Sequence, residues 1–386
     1  MTKKPLFWIV FTALSIGGIV YFAKNYHEAF PALSVDIKMN REMALDAAEE
    51  LSKKYNWLPG EYRTAVSFDA DRTLQTFVEL EGGGLDTFKM LYQDGLYYPY
   101  VWKVRHFQEQ NPNEMEIWFT PAGKPYSFRQ KLGEDEPGAA LSRDSAFAIA
   151  MAGLKDEWAI DLDEYELVEE SEKTQPGGRV DHSFTYQRSG FSIGENGFLR
   201  FNLKVQGDVL GVYNHYAQVP EAFQRRFSEM RSANDTIAFS ATMAIYVIYV
   251  LFGCLVGIFI LLRQRRVLWK KAMIWGMVVG LFQSLVQLNF MPMMWMDYNT
   301  AITTNSFLIQ IIIQAVFIFL IQSALYTVSF IAAESLTRKA FPNKIQFWRL
   351  WSPNTGNSLP VLGQTIGGYL ATGLFMFYAI AFYTFV

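Results

Sequence analysis

Hydrophobic positions fall into two unlike patterns along the chain. Five stretches are apolar without a break for hydrocarbon length: Leu6 to Ala23, Ile237 to Leu262, Ala272 to Phe290, Ser306 to Ala333 and Leu359 to Val386. None has a Lys, Arg, Asp or Glu in its interior. A bilayer core of about 30 Å takes about 20 apolar helical residues, so each predicts a membrane helix. Between the first and second stretches the pattern changes to short periodic segments separated by turns.

Those segments, from about Met39 to Phe223, read as two similar halves, 39–138 and 139–223. Each opens on a helix and continues into strands. In the first half, Met43, Ala44, Ala47, Ala48 and Leu51 share one face of a helix over Arg41 to Tyr55. Strands are predicted over Tyr62 to Phe68, Leu74 to Leu80, Tyr100 to Phe107 and Glu114 to Phe119. In the second half, Ser142 caps a helix rich in Ala146, Ala148, Ile149, Ala150, Ala152 and Leu154. Strands follow over Tyr165 to Glu170, Val180 to Arg188, Phe198 to Val205 and Val209 to Ala217. The turns at Pro121-Ala122-Gly123-Lys124 and Gln206-Gly207-Asp208 close the corresponding late hairpins. The expected fold is a multi-pass α-helical membrane protein with an α+β domain between helices 1 and 2, built of a helix on a small antiparallel sheet, twice. Its parts are an anchor at 1–23, the domain at 24–235 and a bundle at 236–386 with spans 237–262, 272–290, 306–333 and 359–386.

Charge sharpens this division. Residues 24–235 hold 35 acidic and 23 basic side chains, a net of −12, whereas the rest holds 2 acidic and 11 basic, a net of +9. All of the latter basic residues lie at Lys3 and Lys4, in the cluster Arg263, Arg265, Arg266, Lys270 and Lys271, or at Arg338, Lys339, Lys344 and Arg349. Loop 291–305 has neither Lys nor Arg, only Asp297. Cytoplasmic loops collect Lys and Arg, so the N-terminus is expected inside, 24–235 outside, 263–271 inside, 291–305 outside and 334–358 inside. The first stretch reads as an uncleaved anchor, since no small-x-small cleavage site follows it; a cleaved signal peptide would place the next segment outside as well. Trp8, Trp269, Trp295, Tyr298, Trp348 and Trp351 fall where membrane–water interfaces are expected. Segment Ala340 to Trp351 reads either as a chain lying along the inner interface or as a plain loop. The last stretch ends without a polar flank, and a longer chain is expected.

Candidate chemistry is sparse. Cys254 is the single cysteine, so no disulfide forms within the chain, and His27, His106, His182 and His215 are all the histidines. Glu49-Glu50 reads as a solvated helix face and Glu169-Glu170 as a solvated strand end. Asp181 and His182 are neighbours on a strand and point to opposite faces, which argues against a dyad. No HExxH, nucleophile elbow or phosphate loop occurs. In the spans, Gln283 and Gln287, like Gln310 and Gln314, are four apart and share a helix face, joined by Asn289, Gln322 and Ser323. Such amides glue helices together; a substrate pathway is the alternative. Glu334 is expected to reach water at the inner end of its span. Gly363 and Gly367, with Gly368, predict close helix packing.

Four stretches carry a family resemblance. They are Gly178-Arg179-Val180-Asp181-His182-Ser183-Phe184-Thr185-Tyr186, Pro220 to Phe223 with Met230 to Asn234, Thr337 to Pro342 with Trp348 to Ser352, and Val361 to Tyr369. Together they resemble the N-terminal part of large bacterial members of the CPBP family, intramembrane metalloendopeptidases related to CAAX prenyl proteases. The helix-and-strand order of the outside domain also resembles PepSY-type repeats. The resemblance implies a bacterial inner-membrane protein whose outside domain senses or docks a peptide or protein partner. It also implies a metal such as zinc held by EExxxR, FxxxH and HxxxN motifs on membrane helices. None of those motifs occurs here on a membrane helix, and the near-match at Glu49-Glu50 has Lys54 where Arg is expected. In the large members they lie further toward the C-terminus, so no catalytic, cofactor or metal residue is assigned in this chain. A non-catalytic receptor or scaffold, and a permease-like transporter subunit, are the rival readings. The expected partners are the lipid bilayer and a peptide or protein, with no nucleic acid.

Overall fold

The computed structural model describes residues 4–29, 35–57, 60–265 and 267–385, without the side chains of 27–29 and 385. Lys3, Arg266, Val386 and the His27 side chain, all used above, lie outside the described residues. The chain divides into two compact units. A sheet unit comprises Val35–Asn234 and Leu288–Ile313, and a helical unit comprises Asp235–Gln287, Gln314–Val386 and the N-terminal segment.

In the sheet unit eight antiparallel strands form one sheet. They are β1 (Arg63–Ala70), β2 (Tyr100–Phe107), β3 (Glu114–Phe119), β4 (Pro125–Lys131), β5 (Tyr165–Thr174), β6 (Val180–Arg188), β7 (Phe198–Gln206) and β8 (Val209–Gln218), in the order β1-β2-β3-β4-β8-β7-β6-β5. Each half is a four-stranded meander, and the halves join where Phe128 and Arg129 of β4 pair with Tyr213 and Val212 of β8. The two small sheets expected are thus one continuous sheet. Helix α1 (Pro5–Ala29) belongs to the helical unit. Helix α2 (Arg41–Lys54) starts where the Asn40 side chain accepts from Met43 N, and it buries Ala44, Ala48 and Leu51 on the sheet.

Leu74 to Leu80 is not a strand. It lies in α3 (Arg72–Glu81), followed by α4 (Gly84–Gln93), for which no element was expected. Leu74, Thr76, Val78 and Leu80 alternate like a strand, but Asp71 caps the segment through Leu74 N at 3.0 Å. Leu74, Phe77 and Val78 then bury one helical stripe and leave Leu80 exposed. Helix α5 (Arg143–Gly153), capped by Ser142, packs Ala146 and Ala150 against Phe184, Phe201, Leu203 and Val205 of the second meander.

Five helices among the described residues are long and apolar enough to cross a membrane. They are α1, α6 (Glu221–Arg263), α7 (Trp269–Asn289), α8 (Thr304–Ala340) and α9 (Leu359–Phe385). In the helical unit α7 and α8 are antiparallel along a seam of small residues: Gly276 meets Thr327, Gly280 meets Ser323, and Ser284 Oγ donates to Ala315 O at 2.9 Å. A Cβ on Gly280 would sit 2.9 Å from Ser323 N, so only glycine lets the backbones approach this closely. Helices α1 and α9 run parallel, with Ser15 Oγ donating to Leu370 O at 2.6 Å and Tyr21 against Phe377. The tight approach there is at Gly18 and Gly373, whereas Gly367 meets only the Trp8 ring and Gly368 faces open space. Of the predicted glycines, Gly367 packs on Trp8 at ordinary contact distance, and the closest approach falls on Gly18 and Gly373.

Segment 341–352 is a loop with a short turn of helix at Phe347–Arg349, pinned by Arg338 to the carbonyls of Pro342, Lys344 and Ile345. Glu334 does not reach water. It is 8% exposed, ion-paired with Arg338 at 3.1 Å, and accepts from Phe347 N.

Candidate functional site: the charged face of the sheet

Strand alternation gives the sheet one apolar face, under α2 and α5, and one charged face. On the charged face, neighbouring strands carry opposite signs: Lys103 and Arg105 on β2, Glu114 and Glu116 on β3, Arg129 and Lys131 on β4. Each glutamate is gripped from both sides. Glu116 pairs with Lys103 at 2.8 Å and Arg129 at 2.5 Å; Glu114 pairs with Arg105 at 2.6 Å and Lys131 at 2.9 Å. Lys103 and Arg129 also lie over the Trp118 ring.

Arg105 does more than neutralise Glu114. Its guanidinium is 8% exposed, lies over the Phe107 ring, and donates from Nη1 to the carbonyl oxygens of Met296 at 2.9 Å and Trp295 at 3.3 Å. Gln110 N donates to Thr300 O at 2.8 Å, and Arg63 lies over the Trp295 ring. The segment between α7 and α8 is thereby part of the sheet unit. Trp295 and Tyr298 pack on Phe107 and Phe307, with Tyr298 buried.

Across a cleft of about 740 Å³ from Arg105 and Glu114, Asp181 has no exposed side-chain surface. It accepts from Arg179 Nε at 2.8 Å and Gln175 Nε2 at 2.7 Å, and Lys204 Nζ lies 3.1 Å away. Arg179 also donates to Glu136 O at 3.0 Å and Gly133 O at 3.3 Å, tying β6 to the loop after β4. Burial pushes the Asp181 carboxyl up, but hydrogen bonds from Arg179, Gln175 and Lys204 outweigh it and hold it below the usual carboxylate range. Glu116 behaves alike: burial raises it, and Arg129 and Lys103 more than offset that. A general acid at neutral pH needs a raised carboxyl, and these two are lowered. The cleft can hold a polar ligand by exchanging ion pairs.

The other sequence candidates do not converge. His182 turns away from Asp181 and bonds Leu141 O at 2.9 Å, as opposite strand faces require. His106 bonds Thr64 Oγ1 and lies against the tilted Tyr62 ring; burial lowers it to about 4. His215 bonds the Tyr213 hydroxyl and stacks on Tyr126, and burial lowers it to about 3. Glu49 and Glu50 are exposed, with Glu49 on Lys53, and Glu170 pairs with Arg143. Cys254 is buried in α6. Among the described residues no three His, Cys, Asp or Glu side chains are grouped to hold a metal ion. In the spans, Ser323 is buried on Gly280, while Gln283, Asn289, Gln310 and Gln314 are exposed.

Residue-by-residue reading missed Arg105, Glu114, Glu116 and Arg129. The signal was there in the alternating charges of three successive strands, positive, negative, positive, which become cross-strand pairs once the meander forms. No family model, no curated protein and no solved structure matches this chain.

Proposed function

We propose that the sheet unit is an extracytoplasmic docking and sensing domain tethered to a bacterial inner membrane, and that its charged cleft receives a peptide or protein segment. Arg105 carries this reading. It binds the segment that joins α7 to α8, so a partner that competes for Glu114 or for the cleft wall at Met296–Thr300 acts on the entry of a membrane helix. The shared unit of Val35–Asn234 and Leu288–Ile313 also supports placing loop 291–305 on the same side as the domain, as the distribution of Lys and Arg requires. Parallel α1 and α9 with antiparallel α7 and α8 support the same alternation of spans. With the CPBP resemblance, the chain is the docking and leading-helix portion of an intramembrane protease, and none of its residues is given a catalytic role.

Single cysteines in a Cys254→Ala background test the topology. Glu136→Cys and Asp297→Cys should react with a membrane-impermeant maleimide in intact cells, and Lys270→Cys only after permeabilisation. Labelling of Asp297→Cys only after permeabilisation overturns the placement. The protease assignment has its own test: if the gene beyond codon 386 encodes no membrane helix with a Glu-Glu motif, that assignment is abandoned and a receptor remains.

A further inference from the structure

Every glutamine of α7 and α8 lies on one side of the helix pair. The seam runs through Gly276, Gly280 and Ser284 on α7 and through Ala315, Ser323 and Thr327 on α8. Gln283 stands one residue before the seam position Ser284 of α7, and Gln287 follows Gln283 by one turn, already with an interaction of its own. Gln314 and Gln322 stand one before the seam positions of α8, and Gln310 is one turn before Gln314. One residue back turns a side chain by about 100°, and in antiparallel helices that turn leads to the same side of both. Phe347 confirms the geometry: it packs on Trp275, one before Gly276, and on Phe330, on the glutamine line of α8, at 5.5 and 5.6 Å. The opposite side carries Leu281, Leu285, Ile312, Val316 and Leu320, all exposed and all apolar.

This face is therefore half covered. Phe347 and Trp351 close the end that the basic residues assign to the cytoplasm. Toward the other end Gln283, Gln310 and Gln314 are exposed, and Gln322 is half-buried. A primary amide facing hydrocarbon without a partner is costly, so in a bilayer such a face requires a covering that hydrogen-bonds.

We infer that this amide face is the interface between two copies of the chain, taking as given the reading that α7 and α8 cross the membrane. A primary amide both donates and accepts, so a row of them is complementary to itself. The two-fold axis that preserves a membrane protein's orientation runs along the membrane normal and keeps every residue at its depth. Gln314 of one copy then meets amides of the other at its own level. Any other partner must bring polar groups of its own to those depths.

Cysteine cross-linking of the full chain in native membranes, in the Cys254→Ala background, tests this interface. Gln314→Cys should give a band at twice the monomer mass, and Leu320→Cys on the apolar side should not. In liposomes, energy transfer between labelled copies should show at least a tenfold weaker association for the Gln283→Leu/Gln314→Leu variant. Cross-linking of Gln314→Cys only to a different polypeptide, equal cross-linking at both positions, or undiminished association of the leucine variant would overturn the inference. Release of the chain from membranes by alkaline carbonate would overturn the membrane reading, and this interface with it.

Discussion

The two units are packed inside out with respect to each other. In the sheet unit the large apolar side chains, Phe119, Phe184, Phe201 and Met115 among them, are buried, and charges sit outside in pairs. In the helical unit the smallest residues occupy the contacts, Gly276, Gly280 and Ser284 in one seam and Ser15, Gly18 and Gly373 in another. There the bulky side chains Phe282, Phe317 and Ile321 point outward and are more than half exposed. Water drives large apolar surfaces together, whereas hydrocarbon offers no such drive and leaves close backbone approach and hydrogen bonding as the attraction. The contrast is compatible with a sheet unit that faces water and helices able to cross a membrane.

The largest expected effect strikes the sheet unit at Arg105. Arg105→Ala leaves the buried Glu114 with Lys131 alone and removes both hydrogen bonds that Nη1 makes to the 295–296 carbonyls, and should cost about 3 kcal/mol in denaturant unfolding of the full chain. The double change Arg105→Met/Glu114→Met removes both charges and should recover most of that loss. It should not restore the tie to Met296, so protease cleavage within 291–303 should remain faster than in the parent. A double variant as unstable as Arg105→Ala would mean that packing, and not the uncompensated charge, dominates the site.

The helical unit should break where a small residue lets two backbones meet. Gly280→Leu forces a side chain into Ser323 and the α8 backbone, and overpacking of this kind costs about 1–3 kcal/mol, read as a lower midpoint of unfolding in detergent. Gly368→Leu, at a position that meets nothing, should leave the midpoint unchanged. Equal effects at the two glycines would dissolve the contrast drawn between seam and surface.

The legible parts of this molecule were those set by local composition. Uninterrupted apolar runs marked the long helices, and alternation marked seven of the strand segments, because both signals reside within one element. Leu74 to Leu80 misled because alternation and helical spacing coincide over so few residues, and the Asp71 cap decides between them. The fusion of two meanders through Phe128–Tyr213 could not be seen, since it depends on which sheet edges meet. Trp295 and Tyr298 were placed by their type, whereas their burial depends on Phe107, far away in sequence. Of the candidate site, strand alternation separates Asp181 from His182, as observed, but does not reveal that Arg179, Gln175 and Lys204 hold Asp181, because those contacts depend on the turn before β6 and on the neighbouring strand β7.

The smallest of these effects is a pH dependence confined to the sheet unit. His106 is neutral when folded, lowered from its ordinary 6.5 to about 4 chiefly by burial. The unfolded chain therefore binds a proton that the folded one refuses. The resulting stability is complete above 6.5 and is lost as pH falls toward 4, by about 2 kcal/mol at pH 5. His106→Gln should remove about half of the loss between pH 6.5 and 4, because His215, lowered to about 3 by burial, refuses a proton over the same range and supplies the rest; the steeper loss below about 4, in which Asp181 and Glu116, both held low, take up protons, should remain. The α7–α8 seam contains no titratable group, so a seam broken by Gly280→Leu should be equally weak at pH 7 and pH 5. If the seam variant instead lost further stability with acid in step with the parent, the two units would unfold as one, and the inside-out comparison would describe their packing without separating their energetics.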